Sequence, residues 1–433
     1  MDEHFHRNYE NQTTLHPLAL VAIVVLGIAV LAAPRHRVLV PVLLMACFLS
    51  SAQRIAIASL DFSLIRIMVI FGWTRLFARG EFGRIEWKPI DTVFVLWSIS
   101  GAIAYIALHG DSQAIIYKCG NIFESAGLYF LFRHLIRDLA DIDRVTAAAI
   151  AISVPVALFF VFERFTGRNL FSVFGGVPAV TIVREGRLRC QGAFAHAIIA
   201  GCFWASFMPL MFVRRWLGAA GKRSATIGLL SAGSIVVNCA SSTPIMAVLF
   251  SIVGALMFMF RRSMRAVRWT LVIGLFLLHM TMEAPVWYLI ARMDVVAGST
   301  GWHRSKLIDE AVRHFGEWWL LGTESTEKWQ EYLADVTNQY VLEGVRGGAI
   351  TLLLFLVMIA LAFQGVGKAW RRFAPGSWQV ALTWALGVAL FVHVMNFFAI
   401  SYFGQIVMVW YLLLAMIGSI TPRNGMRPQP ASS

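Results

Sequence analysis

The groups in this sequence best able to do chemistry are cations. Arg184, Arg187 and Arg189 fall within six residues, and Arg304 stands in a second polar stretch, GWHRSK. A guanidinium offers a planar fork of donors that matches phosphate oxygens, so fixed arginines could hold a phosphate or stabilise a diphosphate leaving group. Other polar side chains punctuate apolar runs: Lys118, Asn121, Asn238, Ser241, Ser242, Glu283, His393 and Asn396. An ionisable residue within a membrane is costly and by default marks a functional candidate. Plainer roles stay open for each. Lys118 and His393 could snorkel or bond a neighbouring helix, Asn238, Ser241 and Ser242 could close helix ends, and one or two arginines could meet lipid headgroups.

The elements that must position these groups are membrane helices. The chain is 58% hydrophobic and 14% charged, with a mean hydropathy of +0.68, whereas soluble domains are roughly 45 to 50% apolar. Runs near the ~20 residues needed to cross the hydrocarbon lie at residues 15 to 33, 38 to 52, 56 to 76, 90 to 108, 113 to 133, 145 to 162, 193 to 213, 224 to 240, 243 to 260, 269 to 287, 347 to 364, 378 to 396 and 402 to 420. The second run is short, and Asp61 and Arg66 interrupt the third. The expected fold is therefore an all-α polytopic membrane protein of 12 to 13 spans, with one re-entrant or interfacial piece in the lower count. The polar, partly acidic start MDEHFHRNYENQTT carries no cleavable signal pattern.

Lysine and arginine distribution sets the orientation. The basic loops at 34 to 37, Arg75 to Lys88, Arg133 to Arg144, Arg214 to Arg223, Arg261 to Arg268 and Lys368 to Arg372 read as cytoplasmic, together with the tail bearing Arg423 and Arg427. The net charge of +13 is accordingly a topology signal and not a nucleic-acid footprint. The long polar segment Ala284 to Gly348 has six Lys and Arg against nine Asp and Glu, so it faces outward. This divides the chain into an N-terminal bundle (1–283), a large outward loop (284–348) and C-terminal helices with a cytoplasmic tail (349–433).

Within that loop Leu307, Ile308, Ala311, Val312, Phe315, Trp318 and Trp319 recur at helical steps, which predicts an amphipathic helix. Lys306 with Glu310, Asp309 with Arg313 and Arg313 with Glu317 are i,i+4 pairs expected on its wet face. Trp318 and Trp319 read as an interfacial anchor or a sugar platform. The five cysteines make no disulfide framework, and no CxxC, His/Cys cluster or phosphate-binding glycine loop is present. Neither metal nor cofactor is expected.

GRLRCQGAFAHAIIAGCF (186–203) resembles the Arg-x-x-Gly-x-Phe segment that opens a membrane helix in the O-antigen ligase and polymerase superfamily, which includes exopolysaccharide polymerases. Three further blocks follow in that family's order. ASSTPIMAVLF (240–250) is similar to its Ser-Arg-Gly helix start, with Thr243 where Arg is frequent. HRSKLIDEAVRHFGEWWLLG resembles the Arg-bearing helix of its periplasmic loop, and TNQYVLEGVRGGAITLLLF its His-Asn closing block, with Thr337 in place of His and Arg346 where an acid is common.

The resemblance implies metal-independent glycosyl transfer at the periplasmic face of the bacterial inner membrane. The donor would be a glycan on undecaprenyl diphosphate, and the acceptor a saccharide or the lipid A core. Flippase and chain-length regulator proteins would be its partners alongside the bilayer. By motif position Arg189 and Arg304 are the catalytic candidates, with Arg187, Lys118, Asn338, His303 and Ser242 as substrate contacts. A hydroxyl is not basic near neutral pH, so Thr337 cannot take the acceptor's proton. Asp335, two residues away, is the favoured base, ahead of His303 and Glu343, and a reaction without a side-chain base stays open. The readings that remain are polymerisation, ligation to lipid A core, and transport or flipping of lipid-linked sugars. A transporter would show midplane charges and broken helices in paired halves, whereas these polar groups gather at one face.

Overall fold

A computed structural model describes residues 12–57, 60–83, 85–289, 301–330 and 333–422 of the chain. The N-terminal segment, the tail with Arg423 and Arg427, and Arg292, Asp294 and Glu331 of the polar segment lie outside the described residues.

The chain is mostly helical. In order, the first helices are α1 (Pro17–Ala32), α2 (Leu39–Phe48), α3 (Leu64–Arg79), α4 (Pro89–His109), α5 (Ser112–Leu135), α6 (Leu139–Thr166), α7 (Ala197–Val213), α8 (Gly218–Asn238), α9 (Ser242–Leu256) and α10 (Met264–Thr281). They continue with α11 (Gly301–Arg313), α12 (Phe315–Trp318), α13 (Gln339–Ala369), α14 (Trp378–Asn396) and α15 (Gln405–Ile420). Local chemistry starts and stops them. Asp111 and Asp138 cap α5 and α6 by accepting backbone N–H bonds from Ala114 and Asp141 at 2.6 and 2.8 Å, and Gly80, Gly110 and Gly167 close α3, α4 and α6 at positive φ.

Among the described residues, six helical stretches are long and apolar enough to cross a membrane. They are α4, α6, α7 extended to Trp216, the α9–α10 stretch, α13 extended to Arg372, and α14, with α1 and α15 as shorter apolar helices. No residue of α10 is buried, and its Trp269, Leu271, Ile273 and Phe276 are exposed. An apolar helix exposed in this way suits a lipid surrounding better than water.

Two apolar runs fold differently from a plain span. The run at 38 to 52 makes only the 10-residue α2, about 15 Å long against roughly 30 Å of hydrocarbon. The run at 56 to 76 begins as an antiparallel hairpin of β1 (Arg54–Ile57) and β2 (Leu60–Ser63) before α3 starts. The interrupting charges explain this. Arg54 pairs with Asp61 across the hairpin at 3.0 Å, and Arg66 pairs with Glu124 of α5 at 3.2 Å.

The polar segment is a folded cap with its own small core of Leu307, Ala311, Trp318, Trp329, Leu333, Val336 and Val345. The amphipathic helix is not one piece. It breaks at His314 into α11 and the single turn α12, and Val312, Phe315 and Trp319 end up exposed. The charged face is covered in part, with Arg313 and Glu317 exposed. Asp309 and Glu310 are buried, Lys306 reaches Glu310 at 2.9 Å and Arg313 reaches Asp309 at 3.0 Å. The Lys306 hydrogen bond holds the Glu310 carboxyl below its ordinary value. Trp318 is a core residue whose indole N–H donates to Ala311 O at 2.7 Å. At the cap's far edge Gly348, with φ 74 and ψ 176, kinks α13. Any side chain there would strike the carbonyl of Leu320, so backbone meets backbone where the cap joins the bundle.

Candidate functional site

The turn between α8 and α9 is where the arginines gather. It is a strained piece of chain. Ala240 adopts φ 44, a left-handed conformation that costs a non-glycine residue ~1 to 3 kcal/mol and persists only where the surroundings enforce it. Those surroundings are dense. Cys239 of the turn is fully buried, and a side chain at Gly201 of α7 would collide with Pro244 and touch the Cys239 sulfur.

Arg189 arrives from one side. Its segment follows a two-residue hairpin, β3 (Val183–Arg184) and β4 (Arg187–Leu188). Glu185 and Gly186 both take positive φ at its tip, as a tight hairpin turn of the right-handed twist requires. Beyond the hairpin the chain turns inward, and the Cys190 N–H donates to Asn238 O at 3.2 Å, tying the strand to the end of α8. Arg189 is 9% exposed, and its buried Nε has no hydrogen-bond partner among the described residues. Burial and, next, the Arg184 charge lower its pKa, while Cys239 and Glu185 oppose them.

Arg304 arrives from the other side, on α11 of the cap. Also buried, it donates from Nη2 to the Thr243 hydroxyl at 3.3 Å, in the first turn of α9. Arg304 lies within Coulombic range of the Cys202 thiol, Cys202 within range of Cys239, and Cys239 within range of Arg189. The Arg189 segment thus bonds the end of α8, and Arg304 bonds the first turn of α9. Ser242 and Thr243, both buried, add the positive end of the α9 dipole, which favours an anion.

The segment bearing Arg189 is held by a residue that spacing did not single out. Glu163, fully buried near the end of α6, accepts from the Thr181 hydroxyl, the Gln191 N–H and the Gly192 N–H, each at 3.1 Å. Its neighbour Arg164 donates to Leu188 O at 2.9 Å. A lone acid in FERFTG, just before the glycine that ends α6, was the available signal.

No protein-family model and no curated protein matches this chain.

The remaining candidates distribute as follows. Arg187 is exposed on the hairpin. His303 lies on α11 beside Arg304, and its Nε2 is 3.2 Å from the backbone carbonyl of Asp335. The Asp335 side chain is exposed. The cap thus brings His303 and the Asp335 segment together next to the arginine site. Thr337 is near them in sequence, with a buried hydroxyl that has no partner among the described residues. Asn338 serves the fold: its Oδ1 caps α13 by accepting from the Val341 N–H at 3.1 Å, and its Nδ2 donates to Phe398 O at 3.4 Å.

Lys118 belongs to a different cluster. Its ammonium sits 4.3 Å from the centre of the Tyr105 ring and within Coulombic range of Glu343 and Arg346. Glu343 accepts from the Trp97 indole at 2.8 Å and from Gln339 at 2.7 Å, so it bonds α4 to α13. His393 and Asn396 lie in the bundle, where His393 Nδ1 is 2.7 Å from the Tyr402 hydroxyl. Among the described residues no group of His, Cys, Asp or Glu could hold a metal ion.

Proposed function

We propose that this chain is a membrane glycosyltransferase that transfers or polymerises saccharide units from undecaprenyl diphosphate. The observation that carries the reading is the pair of buried arginines, Arg189 and Arg304, on either side of the α8–α9 turn. A buried guanidinium Nε without an acceptor is costly unless a ligand supplies one. A diphosphate departing from an anomeric carbon supplies oxygens and charge that grow in the transition state, which is where fixed cations do most. The acceptor hydroxyl attacks that carbon, the bond to the diphosphate oxygen breaks, and the arginines and the α9 N-terminus receive the leaving group. Asp335, with His303 beside it, takes the acceptor's proton in this reading. The ordered sequence blocks resembling O-antigen ligases and polymerases support the same chemistry.

The proposed setting is the bacterial inner membrane, with 12 to 13 spans, the cap on the periplasmic side and the C-terminus in the cytoplasm, in line with the loop charges. A flippase and a chain-length regulator would be its partners. The deciding experiment gives purified protein undecaprenyl-diphosphate-linked oligosaccharide, alone and with lipid A core. Lengthened glycan in the first arm makes it a polymerase and transfer only in the second a ligase. No transfer to any acceptor, with movement of the donor across vesicles instead, would sink the enzymatic reading.

A further inference from the structure

A carboxylate near the end of α6 ties down the loop that carries Arg189. The stretch Thr181 to Gly192 leaves the end of α6, turns through the β3–β4 hairpin and comes back. Glu163 touches both limbs. Its Oε1 accepts from the Thr181 hydroxyl on the outgoing limb and from the Gln191 N–H on the returning one, and its Oε2 accepts from the Gly192 N–H. Arg164 adds a fourth point at Leu188 O, on the residue before Arg189. Gly192 is fixed too: with φ 58, and with Phe160 of α6 where a side chain would go, it can be no other residue without strain. Arg189 therefore sits between two points anchored to α6, at Leu188 and at Gln191.

We propose that Glu163 is a positioning residue for the anion site: its carboxylate clamps the 181–192 loop so that Arg189 presents its guanidinium, already desolvated, to the phosphate groups of a polyprenyl diphosphate. The inference deepens the proposed function and rests on its assignment of Arg189 to the diphosphate. The physical case is one of preorganisation. A guanidinium on a loose hairpin would fold back into solvent or headgroups, where its charge is better hydrated, and binding would then have to order the loop each time. A carboxylate that accepts two backbone N–H bonds and one hydroxyl from chain 18 to 29 residues away removes that freedom in advance. Ionised acceptors make stronger hydrogen bonds than neutral ones. Glu163 touches neither substrate nor leaving group in this scheme. It acts only through Arg189.

Two readouts on full-length protein in detergent test this. The first is alkylation of Cys190, which is fully buried next to Arg189, followed peptide by peptide in a mass spectrometer. The second is affinity for undecaprenyl diphosphate compared with uncharged undecaprenol. Glu163→Ala should speed Cys190 alkylation and weaken diphosphate affinity about tenfold or more, the scale of one charged hydrogen-bonding partner, while undecaprenol affinity holds. Glu163→Gln keeps one carbonyl acceptor and turns an N–H donor toward Gly192, so it should fall between wild type and Glu163→Ala in both readouts. A misfolded protein would lose undecaprenol as well. Should Glu163→Ala not be monodisperse, Glu163→Gln alone decides, by the same two measurements. Unchanged Cys190 alkylation in a monodisperse variant overturns the clamp whatever the ligand is. Faster alkylation with unchanged diphosphate affinity overturns the positioning role, and if Arg189→Ala also binds diphosphate like wild type, the fault lies in the functional reading itself.

Discussion

At the scale of single residues, the arginines were readable because charge is conspicuous in an apolar sequence, and their company was not. Nothing in the spacing of VREGRLRC says which of three arginines is buried. The fold decides, by exposing Arg187 on a hairpin and turning Arg189 inward. Glu163 was missed for the same reason, since its partners are backbone N–H groups that no side-chain pattern records. Removing one donor to a developing oxyanion typically raises a barrier by ~3 to 4 kcal/mol. Arg189→Ala and Arg304→Ala should accordingly each lower glycan transfer roughly 100- to 1000-fold with insertion into the membrane intact, and Lys should rescue in part because it keeps charge and loses the fork. Near wild-type polymer from either Ala variant would make that arginine structural. The proton acceptor is tested separately. Asp335→Asn should cut turnover far more than donor binding, and His303→Ala should do less, since the His303 Nε2 lies 3.2 Å from the backbone carbonyl of Asp335. A fully active Asp335→Asn enzyme in single-turnover assays removes Asp335 from the mechanism.

Helices and turns tell a mixed story. Apolar runs predicted the long helices α4, α6, α7, α13 and α14 because membrane-length hydrophobicity is a strong local signal. They failed at residues 54 to 63, where a cross-strand Arg54–Asp61 pair diverts the chain into a hairpin. They also failed for α11, whose period continues past His314 in sequence while the helix does not. There the tertiary contacts of Trp318 with the cap core outweigh continuation of the helix. Its charged face was misplaced because opposite charges at four-residue spacing look alike whether they face water or each other under a cover of neighbours. The joint at Gly348 yields a prediction of its own. Its φ and ψ lie in a region that is essentially glycine-only, at a cost of ~1 to 3 kcal/mol for any other residue, and a methyl group would also press on the Leu320 carbonyl. Gly348→Ala should therefore lower the melting temperature in detergent and separate the cap from α13, seen as faster proteolysis between residues 301 and 330. An equally stable Gly348→Ala protein would mean that the kink is not required.

For the whole molecule the decisive quantity is which side each loop faces. The proposed topology puts the cap outside and the C-terminus inside. A phosphatase fused at the C-terminus should be inactive, and one inserted near Glu327 active; the reverse pattern would invert every assignment built on loop charge. Arg189 carries a final consequence. A buried cation whose Nε has no acceptor among the described residues is thermodynamically linked to any anion that binds it. Any anion that binds the folded chain and not the unfolded one adds stability in proportion to the logarithm of its concentration, about 2.7 kcal/mol at a hundredfold excess over its dissociation constant. Pyrophosphate should then raise the unfolding temperature of the wild-type chain in step with the logarithm of its concentration and leave that of Arg189→Ala flat. The same linkage runs in the other direction during turnover. Under the proposed function, where the departing carrier is the anion that best satisfies Arg189, the most stable form of the protein would be its product complex, and the slow event in each cycle would be letting go.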